Sequence, residues 1–398
     1  MSERQGFSTR AIHAAIASEC AAEADEVASA VHLSATYRWP DLEAGARFSA
    51  STAPTHFYRR WGSPNQRALE AQLATLEGTE AALCTASGMA AVSVALLAAL
   101  DTPGTIVAAR TLYGETATFL RTLAPRLGAA VRYAEGPEIE HFERLIDATT
   151  RAVVVEVPAN PTLDLIDLAA LSARAHAVGA VVLCDATLAS PFNCRPAEWG
   201  VDVVLHSATK YLAGHSDAMG GVLASTRAFC DRAWAHHRVL GAVIAPFDAW
   251  LISRGVRTLA LRMAQHNRSA EAVAEHLASH PAVASVWYPS LAHHPASEAA
   301  KRQHRGYGGV LSFALRGGDE AARRVVPRLK LFALATSLGG VESLVQYPAS
   351  MAKLSPAQRE ALGISVGMVR LAVGCEDTDD LLDDLSQALE FANESKAP

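Results

Sequence analysis

The sequence predicts an α/β protein: a mostly parallel sheet in a large domain, followed by a smaller α+β C-terminal domain. Three observations predict it. The runs 152–157 (AVVVEV), 180–184 (AVVLC) and 201–205 (VDVVL) are short and almost wholly apolar, the pattern of strands covered on both faces. A helical stretch at 165–178, closed by Gly179, lies between two of these runs and sets a βαβ rhythm. After about residue 250 the rhythm changes. A long helical stretch at 259–280 precedes strand-like runs at 283–288 and 309–315 and a final helix at 379–391.

Taken in chain order, residues 1–55 read as an extended arm with little helical period. It contains Tyr37-Arg38-Trp39-Pro40, and Ser, Thr, Ala and Pro crowd positions 49–55. A stretch this long with no core of its own is expected to lie on something, and a neighbouring subunit is the expected support. From about residue 65 helix and strand alternate. Positions 68–76 place apolar residues at helical spacing, 88–100 (GMAAVSVALLAAL) reads as a helix, and 105–109 as a short strand. The α/β domain is therefore expected at 56–250 and the C-terminal domain at 251–398.

Composition bounds the function. A chain of 398 residues is too long for one ordinary core, and two or three domains are the prior. Half the residues are hydrophobic and 19% are charged, which excludes wholesale disorder. The net charge of −6 argues against nucleic acid, whose phosphates need a basic face. The longest apolar run, 88–100, is shorter than the ~20 residues that a membrane-spanning helix requires. The first thirty residues are interrupted by charges, so no signal peptide is expected. Six cysteines are scattered without a CxxC pair, which suits reduced thiols in a cytoplasmic protein and no metal site.

In an open α/β sheet, ligands sit beyond the carboxyl ends of the strands. There the sequence places Asn160, then Asp185, then Ser207, Thr209 and Lys210. A partly desolvated lysine amine loses its proton more easily and attacks an aldehyde; the alternative is a phosphate-contacting or merely exposed lysine. Asp185 can cap a helix, hold a metal or hold a protonated pyridine nitrogen. Gly88, after Thr85-Ala86-Ser87, opens an apolar helix whose positive end suits a phosphate. A plain N-cap by Ser87 explains the same residues. His293-His294 lacks matched partners for a metal, and His236-His237 reads as a helix face or site entrance.

Together these pieces resemble the pyridoxal-phosphate enzymes of cysteine and methionine metabolism. The similarity runs over nearly the whole chain, from the segment 6–13 (GFSTRAIH) to the last helix. HSATKYLAGHSDAMGG at 206–221, SLGGVESL at 337–344 and VRLAVGCED at 369–377 are its most specific motifs. The resemblance implies the fold type I, aspartate-aminotransferase-like fold of pyridoxal-phosphate-dependent transferases. It also implies a cytoplasmic homotetramer built as a dimer of dimers with shared active sites, and a small amino-acid substrate. The cofactor it implies is pyridoxal 5′-phosphate. Lys210 would form the imine with it, and Asp185 would pair with the ring nitrogen. Ser87, Gly88, Met89, Ser207 and Thr209 would surround the phosphate. Tyr113 would stack on the ring and serve as an acid or base, and Asn160 would approach the ring hydroxyl. Tyr58 and Arg60, in FYRRWGSP, would reach the neighbouring subunit's phosphate. Arg370, helped by Ser337, would clamp the substrate carboxylate.

Within the family the pattern is most similar to methionine γ-lyase. The cystathionine enzymes usually carry an Arg near 118 and a Glu near 336, where this chain has Thr118 and Thr336. Methionine γ-lyases usually carry a Cys where this chain has Glu115, and a Lys-Asp pair where it has His237 and Arg238. The family's Asp-Asn is Asp185-Ala186 here. The expected reaction is α,γ-elimination to a 2-oxo acid, ammonia and the released γ group. If Glu115 faces the γ substituent, it favours a polar or cationic one such as that of canavanine; the alternative is that Glu115 pairs with Arg238 or another local base. The rival reactions are γ-replacement by a cystathionine γ-synthase or O-acylhomoserine sulfhydrylase, and cystathionine γ- or β-lysis. A pyridoxal-phosphate-binding regulator without turnover is the rival from another class.

Overall fold

The computed structural model describes residues 5–15, 27–351, 359 and 363–393. Its larger sheet has seven strands: Ala81–Thr85 (β1), Gly104–Ala108 (β2), Ala129–Tyr133 (β3), Thr150–Glu156 (β4), Val181–Asp185 (β5), Val203–Ser207 (β6) and Gly221–Ser225 (β7). Their order is β1-β7-β6-β5-β4-β2-β3. Only β7 runs against its neighbours, β1 and β6. The other pairings are parallel. The central strands are buried along almost their whole length, which is why they read as continuous apolar runs.

The smaller sheet joins Val283–Trp287 (β8), Val310–Leu315 (β9), Ala333–Leu334 (β10), Leu344–Gln346 (β11) and Met368–Ala372 (β12), in the order β10-β11-β12-β9-β8. It is antiparallel except for the β10–β11 pair. A separate apolar cluster lies behind it, with Phe313, Leu371, Leu381 and Leu385 at its centre. The long helix Leu259–Ser279 serves both cores: Leu259 and Met263 pack with the large sheet, Val273 and Leu277 with the small one. The mostly parallel sheet and the helices around it are the fold type I architecture that the resemblance implies.

The local chemistry of the elements is conventional. Ser63 caps the helix Pro64–Glu77 by accepting from the Gln66 amide, Pro64 stands in its first turn, and Gly78 ends it in the left-handed region at φ 74°. Three strands of the larger sheet, and β10, β11 and β12 of the smaller one, fall outside the runs named from sequence. β1 and β7 lie beside helix-forming alanines or inside a glycine-rich motif, and β3 has only a half-buried pattern. Position 165 lies before the helix that was read there, which spans Leu168–His176 with Asp167 as its cap.

The five described cysteines are unpaired, and Cys20 lies outside the described residues. Among the described residues no helix is long and apolar enough to cross a membrane. No group of three or more potential metal ligands is found among them either. His293 Nε2 faces the Val286 carbonyl at 3.1 Å, and His294 Nδ1 accepts from the Ala296 amide at 3.3 Å.

Gly255, in the helix Pro246–Val256, is where the fold touches the segment after Lys210. A Cβ there would sit 2.1 Å from the Ala213 carbonyl oxygen, a backbone atom that cannot rotate away. Gly255→Ala is expected to cost about 1–3 kcal/mol of stability and to lower the unfolding midpoint. A midpoint equal to that of the parent would contradict this packing.

Candidate active site

The site forms where the carboxyl ends of β4, β5 and β6 face the edge of the smaller sheet. Lys210 follows β6 in a tight turn: its backbone N–H donates to the Ser207 carbonyl at 3.1 Å, and the Gly214 N–H donates back to the Lys210 carbonyl at 2.8 Å. The turn aims the side chain across the gap, where Nζ donates to Ser337 Oγ at 2.6 Å. Burial, and then the Arg370 guanidinium, hold the Lys210 amine below the ordinary lysine value. Ser337 adopts φ 89°, an uncommon conformation for a residue with a Cβ. Two residues on, Gly339 at φ 79° passes so close that a Cβ would lie 2.8 Å from the Tyr211 amide nitrogen. The SLGG motif is therefore the sequence that lets the second sheet's loop press against the lysine turn.

Arg370 stands on β12 and is 6% exposed. Its Nη2 donates to the Ser337 carbonyl at 2.8 Å and its Nη1 to Asn160 Oδ1 at 3.1 Å. Its Nε is buried without a hydrogen-bond partner. Burial pulls the guanidinium down to about 10. An orphaned N–H on a buried cation suits a carboxylate ligand.

Asp185 ends β5. Its Oδ1 accepts from the Thr187 N–H at 3.0 Å and the Thr187 hydroxyl at 2.5 Å, both on the same oxygen. Oδ2 takes part in neither bond. Burial raises Asp185 above the usual carboxylate range, against the pull of Thr187 and His206; a cation at Oδ2 would reverse that. Thr187 also accepts from the Ser207 N–H at 2.8 Å, so one threonine, unforeseen from sequence, locks Asp185 to the turn before Lys210.

Ser87 and Gly88 open the helix Gly88–Ala99. Ser87 Oγ accepts from the Ala90 N–H at 3.2 Å, so the N-cap reading is correct as far as it goes. The turn is also clamped. A Cβ at Gly88 would lie 2.8 Å from Ser207 Cβ, and one at Gly221 would lie 2.1 Å from the Ser87 carbonyl oxygen. Two backbones and a serine thus meet at a helix N-terminus beside Thr209, whose hydroxyl is bonded to Gly220. Met89 is partly buried and takes the Thr116 hydroxyl on its sulfur at 3.6 Å. Residues that can seat a phosphate, a ring nitrogen and an aldehyde carbon therefore converge, and pyridoxal phosphate fits them.

Tyr113 is 48% exposed at the start of the helix Gly114–Thr122. Glu115 is exposed two residues further on, in the first turn of that helix, and no ion pair joins it to Arg238 among the described residues. Arg238 lies instead between Trp61 and Trp234, at 4.5 Å and 4.8 Å from their ring centroids. Neighbouring His237 is fully buried, and burial drives it down to about 4; it faces the interior, not a site entrance. Thr118 bonds to the Gly114 carbonyl, and Thr336 is exposed. Tyr58 and Arg60 make their contacts elsewhere in the chain. Tyr58 pairs with Thr36, and Arg60 lies over the Tyr58 ring and donates to the Arg238 carbonyl at 3.0 Å.

Glu156, the last residue of β4, was missed from sequence. It is 4% exposed and faces Asp185 in register across the parallel pair. A lone carboxylate in an otherwise apolar run is the signal that marks it.

Comparison with known proteins gives a concordant result. Residues 8–390 match the model of the family described as Cys/Met metabolism PLP-dependent enzyme. The chain is 41% identical to the L-methionine γ-lyase of Pseudomonas putida over 388 residues, 96% of this chain and 97% of that protein. It is 37% identical to the O-succinylhomoserine sulfhydrylase of Pseudomonas aeruginosa over 87% of this chain and 86% of that one. The crystal structure of cystathionine γ-synthase from Xanthomonas oryzae pv. oryzae, in complex with cystathionine, superposes with a TM-score of 0.90 at 35% identity, covering 98% of each chain.

The geometry of Arg370 gives a quantitative expectation. Arg370→Ala removes a charged, multidentate donor, worth about 1.5–3 kcal/mol per hydrogen bond to a charged group. It is expected to lower kcat/KM for an amino acid by about 10–100-fold, mostly through KM. The same loss for an amine lacking the carboxylate would contradict the assignment.

Proposed function

The chain belongs to the pyridoxal-phosphate-dependent enzymes of cysteine and methionine metabolism, and from that premise we propose an α,γ-eliminating lyase acting on a γ-substituted L-amino acid. Its cofactor is pyridoxal 5′-phosphate. The observation that carries the reading is the Lys210–Ser337–Arg370 chain: the amine donates to the Ser337 hydroxyl, and the guanidinium that would take the carboxylate donates to the same serine's main-chain carbonyl. The 41% identity to a methionine γ-lyase supports elimination over replacement.

The bound cofactor supplies the electron sink for charge developing at the substrate's Cα and Cβ. The rest falls to the chain. The Ser87–Gly88–Met89 helix end, with Ser207 and Thr209, holds the phosphate. Asp185 would accept from the ring nitrogen and favour its protonated form, and Asn160 would approach the ring hydroxyl. Arg370 fixes the substrate carboxylate, which orients the Cα–H bond toward Lys210. Lys210 removes that proton and then moves protons at Cβ. Tyr113, at the open edge, stacks on the ring and hands a proton to the departing γ group. One water is consumed, and a 2-oxo acid, ammonia and the protonated γ group leave. Tyr58 and Arg60 would serve the phosphate of a neighbouring subunit in a homotetramer of dimers. The arm 1–55 would contact that neighbour; it is not extended throughout, since Phe7–His13 and Leu42–Ala50 are helices and Ala11 joins the chain's own core. The large domain would span 56–250 and the smaller 251–398.

Glu115 tunes the γ end of the pocket. Its carboxylate is exposed in the first turn of the helix that Tyr113 opens, and no ion pair holds it among the described residues. That supports a cationic γ substituent such as the guanidino-oxy group of canavanine. γ-Replacement on an O-acylhomoserine is the second reading, and the 37% identity to a sulfhydrylase is what favours it.

One panel separates these readings: oxo-acid and ammonia release from methionine, cystathionine, O-acetylhomoserine and canavanine, each with and without added thiol. Elimination without thiol is expected, with canavanine preferred. Glu115→Cys is expected to shift the canavanine-to-methionine ratio by about 10–100-fold, the worth of one contact to a charged group. Turnover only with thiol would support replacement. An unchanged ratio would remove Glu115 from the specificity argument, and no turnover by the cofactor-loaded protein would favour the regulator.

A further inference from the structure

We propose that Glu156 is the positioning residue of this site: one buried carboxyl sets where Tyr113 and Asn160 stand, so that the two loops act as a unit. The inference rests on the cofactor-binding reading above. Tyr113 follows β2 and Asn160 follows β4, and neighbouring strands alone do not fix the relative height of their loops. Glu156 does. Its Oε2 accepts from the Tyr113 N–H at 2.6 Å, and its Oε1 accepts from the Asn160 N–H at 3.0 Å. Both bonds are made inside the protein, where a lost partner is expensive. Asn160 then passes the constraint on, because its side-chain oxygen takes Arg370 Nη1 at 3.1 Å. The ring-stacking residue, the ring-hydroxyl residue and the carboxylate clamp are thus linked through one side chain that touches neither substrate nor cofactor.

The charge around Glu156 fits the role. Asp185 stands beside it in the parallel register, and two adjacent buried carboxyls do not readily ionise together. Burial, and then Asp185, lift Glu156 to about 8, opposed by the two N–H groups and Arg370. With Asp185 ionised, the proton stays on Glu156, whose oxygens still accept both N–H bonds. A cavity of about 250 Å³ borders it on the side of β2 and β3, and Arg110, Glu135 and Asp164 are the charged groups there. Raising pH through about 8 therefore sets two anions side by side at the ends of β4 and β5.

The test uses the cofactor-loaded protein. Glu156→Gln keeps the volume, cannot ionise, and turns an amide NH₂ toward one of the two N–H donors, so one tether is lost. Glu156→Asp keeps the acid and shortens its reach by one methylene. For Glu156→Gln the expected result is kcat per bound cofactor at least tenfold lower, with a smaller rise in KM. Its alkaline limb of kcat should also move, while that of Glu156→Asp remains. Parental kcat per bound cofactor and a parental pH profile in Glu156→Gln would overturn the proposal. So would a loss confined to stability or cofactor content. If Glu156→Gln does not fold, kcat per bound cofactor in Glu156→Asp decides: a fall larger than the KM change supports the role, and no fall refutes it. Failure of the parent protein to take up the cofactor is a different outcome and would refute the preceding reading instead.

Discussion

A single hydrogen bond, from Lys210 Nζ to Ser337 Oγ, joins the chemistry of the two sheets. The lysine belongs to the turn after β6 of the large sheet, and the serine to the loop between β10 and β11 of the small one. The bond is possible only because Gly339 lets one backbone press against the other, and because Ser337 holds a left-handed conformation that few side-chain-bearing residues adopt. Arg370 on β12 adds a second tie by donating to Asn160 Oδ1 at 3.1 Å, and Ser312 on β9 a third by donating to the Pro161 carbonyl at 2.7 Å. The elements proposed to bind the carboxylate are thereby held in fixed relation to those proposed to bind the ring.

The electrostatic layout follows from burial. Lys210 and Arg370 lie close together, and each loses some of its hold on its proton. Asp185 and Glu156 lie close together, and each gains some. Burial is the main cause at all four groups, with Arg370 adding to it at Lys210 and Asp185 at Glu156, and a ligand carrying both a carboxylate and a protonated ring nitrogen would relieve both pairs at once. The site is in this sense complementary to a zwitterionic amino acid on a pyridinium cofactor, and the match exists before either arrives.

Much of this was legible in the sequence, for identifiable reasons. The central strands β4, β5 and β6 are covered on both faces, so their apolar runs stood out. The residues after them fell at the carboxyl edge, where ligands gather. Lys210, Asp185, Asn160 and Arg370 were found that way or through the family's motifs. Other features are not encoded locally. Thr187 looked like one more hydroxyl in a loop, and its double contact with Asp185 and Ser207 needs the parallel register of β5 and β6. Glu156 ends a strand that otherwise reads as pure core, and its two partners lie 43 and 4 residues away. The sequence reads His237 as part of a helix face or a site entrance; it lies on the helix Arg227–Leu240, which turns it inward while Arg238 settles between two indoles. Helical spacing alone does not say which face meets the core when both carry polar residues.

The central claim is that the Lys210 amine forms the covalent link to the cofactor aldehyde. Borohydride reduction of the cofactor-treated protein, followed by peptide mass mapping, tests it most directly. The account predicts a reduced phosphopyridoxyl adduct on the peptide that contains Lys210 and loss of that adduct in Lys210→Ala. An adduct carried by another lysine, with Lys210 unmodified, would contradict it.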